Sequence, residues 1–153
     1  MSKKTNIIVG LVVAVFVAVA VFVLFANCFA TPSGYGAEYG SAFKVMFGSQ
    51  GSAYNAVPLL IVAFSLYCAA FLTAIVGAFC FGKVQTIVYG LTALMSIGAG
   101  VIFLLSVSLF RAVNTAPIGS EAISLGAAPI TSSVFAFLGG VLSLFGAYKA
   151  IKD

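Results

Sequence analysis

Acid–base, nucleophilic and metal chemistry need positioned carboxylates, imidazoles or thiolates, and this 153-residue sequence holds few of them. It has no His, and its acids are Glu38, Glu121 and Asp153. Cys28, Cys68 and Cys80 fall inside or at the edge of apolar runs without CxxC spacing, which reads as small buried hydrophobes rather than ligands or a disulfide framework. The hydroxyls and thiol singled out towards the middle of the apolar runs are Ser65, Tyr67, Cys68, Thr73, Tyr89, Thr92, Ser96 and Ser143. Hydroxyls of this kind return a hydrogen bond to the carbonyl one turn back or bond to a neighbouring helix. Tyr67 lies deep in its run and needs a partner, with a helix carbonyl or Ser96 as candidates. Ser65, Tyr67 and Ser96 are also the candidates for lining a path for a neutral solute. No catalytic, metal-ligating or cofactor-binding set emerges, so neither enzyme activity nor a cofactor is expected.

The elements that carry these groups are membrane helices. Residues are 63% hydrophobic and 7% charged, whereas a soluble domain carries about 25% charge. A spanning helix needs about 20 mostly apolar residues, and four segments qualify: 7–29, 58–81, 84–110 and 129–151. Pro58 and Pro129 stand at first-turn positions, where a missing N–H is tolerated; Asn55 is placed to cap the second helix, and Gly82-Lys83 to turn between the second and third. The first run is too long for the apolar core of a signal peptide and reads as a span. Lys3, Lys4, Lys83, Lys149 and Lys152 fall on one side, Lys44 and Arg111 on the other. By the positive-inside rule both termini are cytoplasmic, with loops 31–57 and 111–128 facing outward. The formal charge of +4 is therefore a topology signal. Seven scattered bases do not make a nucleic-acid footprint.

The expected fold is all-α: one transmembrane domain over residues 1–153, an integral membrane four-helix (tetraspan) bundle. Association of helices in lipid depends on small residues that allow close approach. Gly90 and Gly100 in the third span, with Ala136, Gly140 and Ser143 in the fourth, are the leading packing positions.

The outward loops are rich in Gly, Ala, Ser, Tyr and Phe and poor in charge. Within the first, residues 39–48 read YGSAFKVMFG, with Tyr39, Ala42, Phe43, Met46 and Phe47 at helical spacing. A short helix is expected here, lying at the interface, closing as a lid on the bundle, or contacting another subunit. Tyr39, Phe43, Met46 and Phe47 are the candidate contact residues. Glu38 and Lys44, with Arg111 and Glu121, offer ion pairs between the loops.

Two outward loops with both ends inside is a plan similar to that of claudin-like tetraspan junction proteins. Their loop signature of Trp, Gly-Leu-Trp and paired Cys is missing, so no residue role carries over. Four-span proteolipids and small multidrug exporters need a mid-membrane carboxylate, which this chain lacks. The expected function is structural: self-assembly, or association with another membrane protein, through the outward loops and small-residue helix faces, with the lipid bilayer as the constant partner. A channel or carrier for a neutral solute, or an accessory subunit of a membrane complex, are the alternatives. The expected location is the cell (plasma) membrane.

Overall fold

The structure, a computed structural model, describes residues 2–30, 40–48, 55–114 and 123–152. Four long helices dominate: α1 (Lys3–Phe22), α3 (Pro58–Phe79), α4 (Gly82–Leu104) and α6 (Ala127–Lys152). Between them lie β1 (Phe29–Ala30), α2 (Ala42–Phe47), α5 (Ser106–Val113) and β2 (Ser124–Leu125). All four long helices have the length and hydropathy to cross a bilayer, so the chain is built as an integral membrane four-helix bundle.

Local signals set the helix ends. The Ser2 hydroxyl accepts from the Thr5 N–H at 3.2 Å and caps α1, whose far end tightens into a 3₁₀ turn over Val23–Phe25. Pro58 opens α3. Cys80 and Phe81 connect α3 to α4, with Gly82 at φ +64, a region that favours glycine. Three expectations are corrected here. Val57, not Asn55, is the N-cap of α3. The third apolar run, expected as one helix over 84–110, breaks at Leu105 (φ −87, ψ 6) into α4 and α5. By Leu104, α4 is already long enough to span; α5 is amphipathic, burying Ser106 and Phe110 while Arg111 is exposed. The first span likewise ends at Phe25, because Cys28–Ala30 is drawn into extended pairing.

The helices close a ring in which α1 packs on α3 and α6, and α4 on the same two from the other side. Val13 and Val17 of α1, Leu60 and Tyr67 of α3, and Tyr89 and Phe103 of α4 are fully buried, while Leu72, Leu94 and Ile151 point outward, as lipid-facing residues should. The seam between α4 and α6 is the most extensive, and small residues explain it. A Cβ on Gly140 would meet Ile97 at 2.5 Å, and one on Gly100 would meet the Phe137 ring at 2.8 Å. Hydroxyls then donate across the seam to main-chain carbonyls: Ser96 to Ala136 (2.6 Å), Ser133 to Gly100 (2.8 Å) and Ser143 to Tyr89 (2.7 Å). Gly100, Ala136, Gly140 and Ser143 thus meet in one interface. Gly90 does not join them; nothing lies within 4 Å of where its Cβ would be.

Candidate functional site

At the end of the bundle opposite the chain termini, the segments between the long helices fold into a cap. Its organiser is the extended stretch Ala26–Ala30. On one side Cys28 N–H donates to Gly40 O (3.1 Å) and Ala42 N–H to Ala26 O (3.2 Å). On the other, β1 pairs antiparallel with β2, Phe29 opposite Leu125 and Ala30 opposite Ser124. Gly126 N–H adds a bond to Cys28 O (2.9 Å) and Ala128 N–H one to Asn27 O (3.1 Å). Residue 126 must be glycine for this approach: a Cβ there would lie 2.6 Å from Asn27 O and 2.8 Å from the Cys28 carbonyl carbon. The remaining link is an amide clamp, in which Asn114 Oδ1 accepts from Asn55 N–H and Asn114 Nδ2 donates to the Asn55 carbonyl (3.3 Å).

This frame seats α2, which is capped by the Ser41 hydroxyl and tied at its far end by Val57 N–H donating to Met46 O (3.0 Å). Ala42, Val45 and Met46 are buried, and burial stabilises by about 1.5–3 kcal/mol for each of the two larger side chains. Phe43 is half-buried in a chain of rings, 4.7 Å from Phe25 and 5.3 Å from Phe64. Phe47 stands 6.5 Å from Phe64 and remains 53% exposed. Of the four expected contact residues, Met46 is therefore turned into the chain's own core and is not available to a partner. Phe43 and Phe47 lie at the surface, and Tyr39 lies outside the described residues, as do Glu38 and Glu121 of the expected ion pairs.

Beside the rings, Phe25 and Phe22 are 67% and 69% exposed. Phe22 continues the surface into an apolar groove of about 370 Å³ between α1 and α3, lined by Ala18, Val21, Phe22, Cys68, Phe71 and Leu72. The groove lining is apolar, whereas the cap also carries the exposed Lys44 of α2 and Arg111 of α5.

Below the aromatic surface, Cys28 is wholly buried. Burial pushes its thiol from 9.0 up to about 12, slightly offset by the nearby Ser106 hydroxyl, which itself has no hydrogen-bond partner of good geometry. Below about pH 9 folded and unfolded chains both keep this proton; between about 9 and about 12 only the unfolded chain releases it, so the cap loses stability as pH rises through that window. Cys28 alkylation in the folded protein is accordingly expected to stay slow from pH 7 to pH 9, whereas the unfolded chain's rate climbs with its thiolate fraction. Peptide-resolved mass spectrometry after timed maleimide exposure checks this.

The candidate solute-path residues are not brought together. Ser65 is exposed on the outer face of α3 and returns its hydrogen bond to Ile61 O (3.0 Å). Tyr67 is buried, stacks on Phe103 at 5.2 Å and accepts from Ser132 (3.1 Å) rather than from Ser96. Ser96 is spent on the α4–α6 seam.

The opposite end holds an arrangement the sequence reading missed. Asn6 is buried in the first turns of α1, and its Nδ2 donates to the carbonyls of Gly77 (3.3 Å), Ala78 (3.1 Å) and Cys80 (2.9 Å). Its Oδ1 accepts from Gln85 Nε2 and from the Tyr89 hydroxyl (2.9 Å). One amide thus satisfies the last carbonyls of α3 and ties α1 to the α3–α4 link. Glycines permit the approach: a Cβ on Gly10 would sit 2.5 Å from Ala78 Cβ, and one on Gly146 would sit 3.0 Å from the Tyr89 ring. The sequence signal was two amides at matching depth, Asn6 and Gln85, each near the start of a helix on the same side.

Comparison with known proteins finds no matching family, no matching curated protein and no matching solved structure.

Proposed function

We propose that this protein is a non-enzymatic structural element of the cell membrane, with its termini cytoplasmic and its cap outside, that self-associates through the cap and the α1–α3 face. The observation that carries this is the half-used grease of the cap: an ordered, hydrogen-bonded frame buries Ala42, Val45 and Met46 yet leaves Phe47 exposed, beside the exposed Phe22 and Phe25 at the end of the first span. Solvated loops do not hold bulky rings outward on a rigid frame at no benefit; contiguous apolar patches of this kind mark contacts. The rings sit where α2 meets the outer headgroup layer, so a neighbour embedded in the same bilayer meets them side by side. The exposed rings and the apolar groove beside them support packing as the mechanism. The dispersed positions of Ser65, Tyr67 and Ser96 leave a solute path without support.

The test is the particle size of the purified chain in mild detergent. Wild type is expected to run as a defined oligomer, and Phe47→Asp combined with Phe25→Asp to shift it toward a monomer. Buried aromatic anchors are worth about 2 kcal/mol or more each, a weakening of roughly thirtyfold per residue. Both side chains are more than half exposed, so helical circular dichroism should be unchanged. A wild-type chain that is monomeric at all concentrations, or a variant of unchanged size, would overturn the assignment.

A further inference from the structure

The five lysines of the terminal end form a collar. Lys3 and Lys4 open α1, Lys83 lies in the first turn of α4, and Lys149 and Lys152 close α6. The amide knot gathers these chain positions: Asn6 fixes the start of α1 to Cys80 and Gln85, and Gly146 packs α6 against Tyr89 of α4 and Val9 of α1. All five are exposed, and no ion pair holds any of them among the described residues. Asp153 is the one acid that the sequence places near them.

The collar is also aimed. Lys3 Nζ stands 5.6 Å from the centroid of the Phe81 ring, Lys149 Nζ 5.6 Å from that of Phe145, and Lys152 Nζ 5.1 Å from that of Tyr148. These three rings are about half exposed. Tyrosine at the end of a membrane helix, as Tyr148 is, sits at headgroup level, and an ammonium held over a ring near a helix end is kept close to that depth. Positive charge with no ion-pair partner among the described residues is thus displayed where lipid phosphates lie.

We infer that the lysine collar is a binding surface for the phosphate headgroups of anionic phospholipids, which it retains in preference to zwitterionic ones. The complementarity is one of charge and depth together, and it does not depend on whether the chain self-associates. An ammonium near a membrane surface contributes about fivefold in affinity for anionic lipid, so the collar as a whole carries a large preference.

The experiment reads lipid retention directly. The full chain is purified in mild detergent with an equimolar mixture of phosphatidylglycerol and phosphatidylcholine, and the lipids retained are counted by native mass spectrometry. Phosphatidylglycerol is expected to be retained over phosphatidylcholine by roughly a hundredfold or more. Lys83→Gln with Lys149→Gln should reduce that preference by roughly twentyfold, while Lys83→Arg with Lys149→Arg should keep it. Raising salt on the wild-type protein should erode the preference without any substitution, which gives a readout independent of variant folding. Equal retention of both lipids, or a preference indifferent to salt and to lysine neutralisation, overturns the inference. Displacement of the lipid by millimolar inorganic phosphate would assign the collar to free anions and likewise overturn it.

Discussion

Asn6→Asp is expected to destabilise the bundle by about 3–5 kcal/mol, the cost of an uncompensated buried charge. The substitution keeps size and shape, so packing is not the reason. Aspartate retains an oxygen to accept from Gln85 and Tyr89, but turns a second oxygen toward the Gly77, Ala78 and Cys80 carbonyls that Nδ2 now serves. Four acceptors then face one another at a site that is 1% exposed. Asn6→Leu should cost less, about 1–3 kcal/mol, because it introduces no charge: it strands the Gln85 donor and removes the donor to the Gly77, Ala78 and Cys80 carbonyls, while Tyr89 keeps its bond to the backbone carbonyl of residue 6 (3.1 Å). Adding Gln85→Leu to Asn6→Leu should recover part of that loss, since replacing both partners by apolar groups removes the unmet donor. Unfolding midpoints in mixed micelles of rising dodecyl sulfate fraction, followed by circular dichroism, order the variants. An aspartate variant within about 1 kcal/mol of wild type would show that the amide is incidental.

The four spans were legible because continuous apolar runs leave a chain in water no alternative, and Pro58 and Gly82 punctuate them. The small-residue seam was also legible in large part: Gly100, Ala136, Gly140 and Ser143 repeat at helical spacing. Gly90 shares that spacing but faces open space, because periodicity identifies a stripe without saying how far along it a neighbour follows. Asn6 escaped notice for a different reason. Hydropathy places the first span from residue 7, so an amide one position earlier reads as a solvated flank; only the α3–α4 link folded over it makes the site dry. The same limit applies to α2. Its periodicity grouped Tyr39, Ala42, Phe43, Met46 and Phe47 on one apolar face, yet a helix of Ala42–Phe47 has too few turns to choose its own inward face. The choice is made by the Met46–Val57 bond and by β1 pairing with β2 across most of the chain's length, and two-residue strands carry no sequence pattern.

That long-range pairing yields the second large effect: Gly126→Val is expected to open the cap while leaving the four long helices folded. The added Cβ meets Asn27 O and the Cys28 carbonyl, all main chain, so no side chain can swing aside to admit it. Overpacking of this kind costs about 1–3 kcal/mol. The Gly126–Cys28 and Ala128–Asn27 bonds are lost with it at about 1 kcal/mol each. Together these weaken the cap by about 3–5 kcal/mol. The consequence is read at Cys28, whose thiol is buried within the cap beside Ser106. Its maleimide labelling near neutral pH should accelerate by about a hundredfold or more, each 1.4 kcal/mol of opening being worth a factor of ten. Helical circular dichroism should change little, because α1, α3, α4 and α6 bury their contacts independently of the cap. If the cap is the cohesive surface, the variant should also lose its oligomer even though Phe25 and Phe47 are untouched, since rings without a frame no longer share one plane. Unchanged Cys28 labelling in Gly126→Val would mean that the strands yield without cost and that the cap is not a rigid element at all.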